Sequence, residues 1–434
     1  MKEIKLICNA HLDPVWLWRR DEGMAEAIST FRVAAKFCRE YDGFVFNHNE
    51  AVLYEWIEEN EPELFEEIRE LVKLGKWKIM GGWYLQPDCL MPSGESIILQ
   101  IKHGKKYFYD KFGVTPTTAI NFDSFGHSRG LVQILKKCGY DSYVYMRPRD
   151  STEYNDYMWE GYDGSKIIAH RTKTGYNTAR GEMALKLDNY IKNKAVDGCN
   201  LMLWGIGNHG GGPSKEDLEQ IEKYKKAHPE IKISHSWCED YFEHLEKTNL
   251  PTVKTSLVHC MVGCYTSMVR IKQAHRRLEN EISVCKKLLA ASGIDYDKSK
   301  LDEAGKALIF CEFHDILPGS MIKKAEDDSL RLMNYGSEIV SRLSTKAFFA
   351  LCRGQRKCND GEIPILVFNP HPYPVSQCVE TEFQLADQNW NENEYTISEV
   401  YDENGNRLFS QNEKEDCSFS LDWRKRIAFN ALLI

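Results

Sequence analysis

Three short stretches carry residue types that can do chemistry together. His11-Leu12-Asp13 is a His-x-Asp pair following the apolar run at residues 4–8. On an extended segment alternate side chains share a face, so both can reach one ion, and imidazole with carboxylate suits zinc. A simple hydrogen-bonded pair is the competing reading. Asp123 lies in Phe122-Asp123-Ser124-Phe125-Gly126-His127-Ser128, a lone carboxylate among apolar and small residues after a buried-strand pattern. Charge there is costly unless a metal, a proton or a substrate compensates it. A helix cap for the segment starting near Ser128 is the alternative for Asp123, and a structural hydrogen bond for His127. His314-Asp315 precedes Ile316-Leu317-Pro318-Gly319 at a break between helical stretches, where two adjacent polar groups suggest a site rather than a plain turn.

Two further features border these. Trp16 and Trp18 follow the first motif, and one of them suits the floor of a sugar site, with core packing as the rival. The stretch 205–213, Gly-Ile-Gly-Asn-His-Gly-Gly-Gly-Pro, resembles a phosphate cradle. It lacks the Gly-Lys-Ser/Thr ending of a P-loop and the Gly-x-Gly-x-x-Gly register of a dinucleotide site. Its glycines instead let backbone approach a ligand closely, with Asn208 and His209 at the tip.

The elements that must position these residues alternate along the chain. Strand patterns at 4–8, 44–46, 77–80, 117–122, 143–146, 167–170 and 200–204 are separated by helical ones at 21–39, 61–74, 93–108 and 131–137. Ser214-x-x-Asp217 opens the next helix as a capping box. About seven strand–helix repeats predict an α/β fold with a parallel sheet or an incomplete barrel. His11, Asp13, Asp88, Asp123 and His209 all follow strand ends, where such folds gather function. Residues 267–291 and 301–351 read as helices broken at 293 and 314–319, and as a bundle. After a linker at 357–362, strand patterns at 365–368, 379–383, 395–400 and 427–433 predict an all-β region that stops soon after it starts. The division expected is 1–255, 256–356 and 362–434, within a longer protein.

Bulk properties narrow the class. The chain has 434 residues, 42% hydrophobic and 12% aromatic, and a net charge of −8. That balance speaks against a nucleic-acid partner. No run approaches the ~18–20 apolar residues that span a bilayer, and the N-terminus enters a strand without a signal-peptide core. The 14 cysteines form no Cys-x-x-Cys pair, and no Asn-x-Ser/Thr site occurs. Reduced thiols in a cytoplasm are expected. Nothing here decides for or against a homo-oligomer.

Taken together the motifs resemble glycoside hydrolase family 38, the retaining α-mannosidases, in its bacterial branch, which includes mannosylglycerate-type hydrolases. The series is His11-Leu-Asp13-Pro-Val-Trp16, Gly81-Gly-Trp83 with Gln86-Pro-Asp88 through Glu95, Phe122 through Ser128, Gly207 through Pro213, Gly263 through Ser267, and Phe313 through Ser320. The resemblance implies an incomplete seven-stranded parallel β/α barrel, a three-helix bundle and the start of a β-sandwich. It implies Zn2+ held by His11, Asp13, Asp123 and His314, with Asp123 as the nucleophile that forms a covalent mannosyl-aspartate. Where animal members carry a general-acid aspartate this chain has Gly207-Asn208-His209-Gly210, so His209 is the expected acid, with Asp88 and then Asp315 as alternatives. Trp16, Asp88, Phe125, Asn208 and Asp315 are expected to contact the substrate, a terminal α-mannoside or mannosyl conjugate. Residues 147–181, with Arg147, Arg149, Arg171 and Arg180, are placed to read an anionic aglycone. A zinc-dependent carbohydrate deacetylase is the rival from another class, although the His-x-x-x-His pair usual there is missing.

Overall fold

The computed structural model describes residues 2–245, 247, 249–389, 396–413 and 422–433. They form two compact units, Met1–Ile282 with Asp297–Ile339, and Ser283–Tyr296 with Val340–Ile434.

The first unit holds ten strands: β1 (Lys2–Asn9), β2 (Phe46–Glu50), β3 (Trp77–Trp83), β4 (Thr118–Asn121), β5 (Ser142–Tyr145), β6 (Asp156–Glu160), β7 (Lys166–Arg171), β8 (Gly198–Trp204), β9 (Lys232–His235) and β10 (Thr252–Val253). Five build an all-parallel sheet around β1. Its one edge takes β8 along the whole strand. Its other edge is shared, β9 pairing near the start and β2 near the end. The remaining five form a second sheet in the order β10-β6-β7-β5-β4, parallel except for the β6–β7 pair. The chain is therefore α/β with a parallel sheet, as the repeats imply, and its strands are divided between two hydrogen-bonded sets.

A buried core links the two sets. Ile7, Met80, Ile120, Val144, Leu201 and Leu203, drawn from five strands, pack together with the helix Cys238–His244. On the outer side, Ile97 and Ile101 of the helix Gly94–Phe112 join Leu131, Val132 and Leu135 against Tyr143 and Trp159. The helix Gly94–Phe112 is capped by Ser93, whose hydroxyl accepts from the Ser96 amide, and ends at Gly113 in the left-handed region. It lies so close on β3 that a Cβ on Gly104 would sit 2.3 Å from the Trp83 carbonyl carbon.

Several sequence expectations shift. The second strand begins at Phe46 rather than Phe44 and takes in His48, Asn49 and Glu50, all fully buried. Polar residues in a strand covered on both faces break the alternation on which a sequence reading depends. A helix at Ala51–Asn60 and the strands β6, β9 and β10 went unread, the last three being short or polar in part. Helices Val269–Ser292, Lys298–Phe310 and Lys323–Arg353 match the helical stretches, and the break falls at His314 as expected.

In the second unit, strands Val375–Asn389, Asp422–Leu433 and Ser410–Glu413 form an antiparallel sheet, and Val400–Tyr401 pairs with Arg407–Leu408. Residues 365–368 are not a strand; Ile365 and Val367 pack on the Ile427–Phe429 core without ladder bonds. Of the strand expected at 395–400, only Val400 is paired, and Tyr395 lies outside the described residues.

Candidate active site

Four chain segments converge beyond the C-terminal ends of β1, β4 and β8. His11 and Asp13 continue from β1, Asp123 follows β4, His209 stands on the glycine loop after β8, and His314 comes from the turn between two helices. Nε2 of His11 is 3.0 Å from Oδ1 of Asp13 and 3.7 Å from Oδ2 of Asp123. Nε2 of His314 is 3.5 Å from Oδ1 of Asp13, and Nδ1 of His209 is 2.6 Å from its Oδ2. The four residues expected to share a metal are thus brought together, and His209 joins them as a fifth.

The directions matter more than the distances. His11 Nε2, both Asp13 oxygens, His209 Nδ1 and His314 Nε2 are buried without a properly directed hydrogen bond. A buried polar atom left so costs on the order of 1–3 kcal/mol. The electrostatics say the same. Burial alone would lower His314, yet the carboxylates of Asp13, Asp315 and Asp123 outweigh it and raise it to about 10. The close Asp13 carboxylate, working against burial, raises His209. Burial would raise Asp13, but the imidazoles of His11, His209 and His314 bring it well below the carboxylate range. Burial pushes Asp315 up to about 6, opposed by His314. The cluster draws in positive charge. Nitrogen and oxygen donors converging on one point without bonds to each other are a donor set of the kind that suits a zinc ion.

The surroundings orient these groups. Nδ1 of His314 donates 2.8 Å to the Gln86 carbonyl, which leaves Nε2 facing Asp13. Arg147 donates from Nε to Oδ1 of Asp123. Tyr176 lays its ring 4.5 Å from that of His11, and Trp16 lies 4.2 Å from His209. The Tyr176 loop is itself held by Lys186, whose ammonium reaches Gly175 O, Asn177 O, Thr178 Oγ1 and Leu203 O at 2.7–3.1 Å. Gly205, at φ 148°, brings the glycine loop so near β1 that a Cβ there would lie 2.1 Å from the Asn9 carbonyl oxygen.

Other expected residues are placed differently. Asp88 is buried and its oxygens are taken by the Leu90 and Met91 amides and the Tyr265 hydroxyl; it lies outside the cluster and closes its own turn. Asn208 is exposed and its oxygen caps Gly211 within the loop. Phe125 packs edge-on to His314 with centroids 6.5 Å apart, and Asp315 accepts from the Ser320 hydroxyl. His127 makes structural hydrogen bonds, between Tyr143 OH and Arg147 O. The arginines do not form one patch: Arg147 serves Asp123, Arg171 binds the carbonyls of Arg149 and Thr152, and Arg180 pairs with Glu216. Tyr176 and Gln86 are not singled out by the sequence as parts of the site, and Arg147, expected at the aglycone, instead bonds Asp123. Only the position of Arg147, just past β5, could have signalled it.

By fold, then, the chain is an α/β domain of the kind seen in the crystal structure of an alpha-mannosidase from Enterococcus faecalis V583, with a TM-score of 0.79 at 18% identity over all of this chain and 54% of that one. The profile of the glycosyl hydrolases family 38 N-terminal domain matches residues 1–266, and that of the alpha mannosidase middle domain residues 260–351. The chain belongs to glycosyl hydrolase family 38. Relatives include Alpha-mannosidase G of Dictyostelium discoideum, 28% identical over 75% of this chain, and Alpha-mannosidase 2C1 of Mus musculus, 25% identical over 84%. The chain spans 31% and 36% of their lengths.

Proposed function

We propose that this chain carries the catalytic part of a zinc-dependent retaining α-mannosidase acting on terminal α-mannosides or mannosyl conjugates, mannosylglycerate-type ones included. The observation that carries the reading is the convergence of His11, Asp13 and His314 with their ligand atoms unbonded, and of Asp123 with His11 beside them. Bound there, zinc would grip adjacent ring hydroxyls of mannose and favour distortion toward the oxocarbenium-like transition state. Asp123, held on one side by Arg147, attacks the anomeric carbon as the bond to the aglycone oxygen breaks. His209, whose protonated form the Asp13 carboxylate favours, gives its Nε2 proton to that oxygen. Water then attacks the same carbon, yields a proton to His209 and frees Asp123, so configuration is retained. Trp16 beside His209 supplies an apolar floor, Phe125 a wall, and Asp315 and the Asn208 amide bind hydroxyls.

The finer architecture belongs to the same reading: an incomplete parallel barrel over 1–255, a three-helix bundle over 256–356 and the opening of a β-sandwich domain over 362–434. A cytoplasmic setting is supported by the thirteen described cysteines, all free thiols. No helix among the described residues is long and apolar enough to cross a membrane.

Release of nitrophenol from 4-nitrophenyl α-mannoside tests the proposal. Asp123→Ala should abolish it, and a chelator should do so reversibly, with zinc restoring it. Undiminished turnover in either case sinks the reading, and acetate release without glycosidic cleavage would mark a deacetylase instead.

A further inference from the structure

One residue outside the cluster touches three of its four arms. Gln86 follows β3 and is fully buried. Its side-chain oxygen accepts from the Phe122 amide at 2.7 Å, the residue before Asp123. Its side-chain nitrogen lies 3.2 Å from Nδ1 of His11. Its main-chain carbonyl takes Nδ1 of His314 at 2.8 Å and the His314 amide at 3.3 Å. Its own amide is fixed in turn by Oε1 of Glu50 at 2.9 Å. Strand ends from β1, β3 and β4 and the inter-helix turn are thereby held in one register.

The orientation of the amide has a chemical consequence. A main-chain N–H can only donate, so the Phe122 contact requires the oxygen of Gln86 and turns its NH2 toward His11. A ring that accepts at Nδ1 carries its hydrogen on Nε2, the nitrogen facing Asp13 and Asp123. A metal at Nε2 needs the other tautomer, with the hydrogen on Nδ1 and an oxygen to receive it. Gln86 therefore aligns the ligands while opposing the metal-binding form of one of them.

We propose that Gln86 is the positioning residue of the metal cluster and sets its affinity, holding it below what a carboxylate at the same position would give. The inference rests on the zinc reading above. A glutamate there could keep one oxygen on the Phe122 amide and offer the other to Nδ1–H of His11. A methionine fills the space and serves neither. Partners of this kind are worth about 10–100-fold in metal affinity.

The experiment compares the 434-residue chain with Gln86→Glu and Gln86→Met. Zinc affinity is read by competition with a chromophoric chelator, and ligand geometry from the visible spectrum of the cobalt-substituted proteins. Expected is a loss of about tenfold or more for Gln86→Met with an altered cobalt spectrum, and tighter binding than wild type for Gln86→Glu. Circular dichroism of the metal-free proteins identifies a variant that misfolds, and the glutamate variant alone then decides. Equal affinity in wild type and Gln86→Met, or weaker binding by folded Gln86→Glu, overturns the proposal while leaving the zinc reading intact. A wild-type chain that takes up no zinc overturns both.

Discussion

Lys186 offers a test of how the site is held that does not touch the chemistry. Its ammonium bonds four oxygens, three of them on the loop bearing Tyr176. Burial depresses it from the ordinary 10.5 to about 7, with Asp217 opposing. In Lys186→Met the exposed Asn177 carbonyl can turn to water, whereas Leu203 O and the Thr178 hydroxyl are less accessible. One or two uncompensated groups at about 1–3 kcal/mol each give a loss of about 1–6 kcal/mol. The pH dependence is sharper. Below about 7 the folded and unfolded chains both hold the proton, so the group adds no slope. Between about 7 and 10.5 the unfolded chain keeps a proton that the folded chain has lost, so stability rises with pH. The slope reaches about 1.4 kcal/mol per unit. Urea unfolding of wild type and variant at pH 7.5 and 8.5 (conditions about one unit apart) should therefore show the gap between them widening by roughly that amount. Turnover should fall as well, since a shift of about 1 Å near reacting groups can cost about 100-fold. A gap that stays constant with pH, together with unchanged kcat/KM, refutes the reasoning.

Three further outcomes are expected. His209→Gln should lower kcat/KM by about 10²–10⁴ on alkyl mannosides yet spare dinitrophenyl mannoside, whose leaving group needs no acid; equal losses on both would remove His209 from that role. Gly104→Ala should destabilise the first unit by about 1–3 kcal/mol or more in urea, because the added Cβ would meet main-chain atoms of β3 at 2.3 and 2.5 Å. Chelation should lower the thermal midpoint of the wild type, and zinc at ~100-fold above its Kd should restore about 2.7 kcal/mol; an unchanged midpoint speaks against a resident metal.

The sequence made the strand ends legible because each arm of the cluster is a local motif: His-x-Asp after an apolar run, a carboxylate where none belongs, His-Asp at a helix break. Their meeting at one point could be read only from their common placement at C-terminal strand ends. What was not legible depends on distant partners. Arg147 reads as one of several arginines facing an anionic aglycone until the fold sets it on Asp123, and Asp88 reads as available until Tyr265, 177 positions away, takes its oxygen. Glu50 falls outside the strand expected at 44–46 because three polar residues in a row do not resemble a strand. Burial holds its carboxyl near 7, and it fixes the main chain of Gln86.

Asp13 and His209 are joined twice, by the approach of their side chains and by the Asp13 amide donating 2.9 Å to the His209 carbonyl. The two residues are consequently tied together at both main chain and side chain. For anyone re-engineering the chain, this makes the glycine loop a poor place to begin, since any drift there is transmitted straight to the buried Asp13 carboxylate. The Tyr176 loop offers no independent handle, because the Thr178 amide donates 2.6 Å to the Gly205 carbonyl and ties it to the same glycine loop.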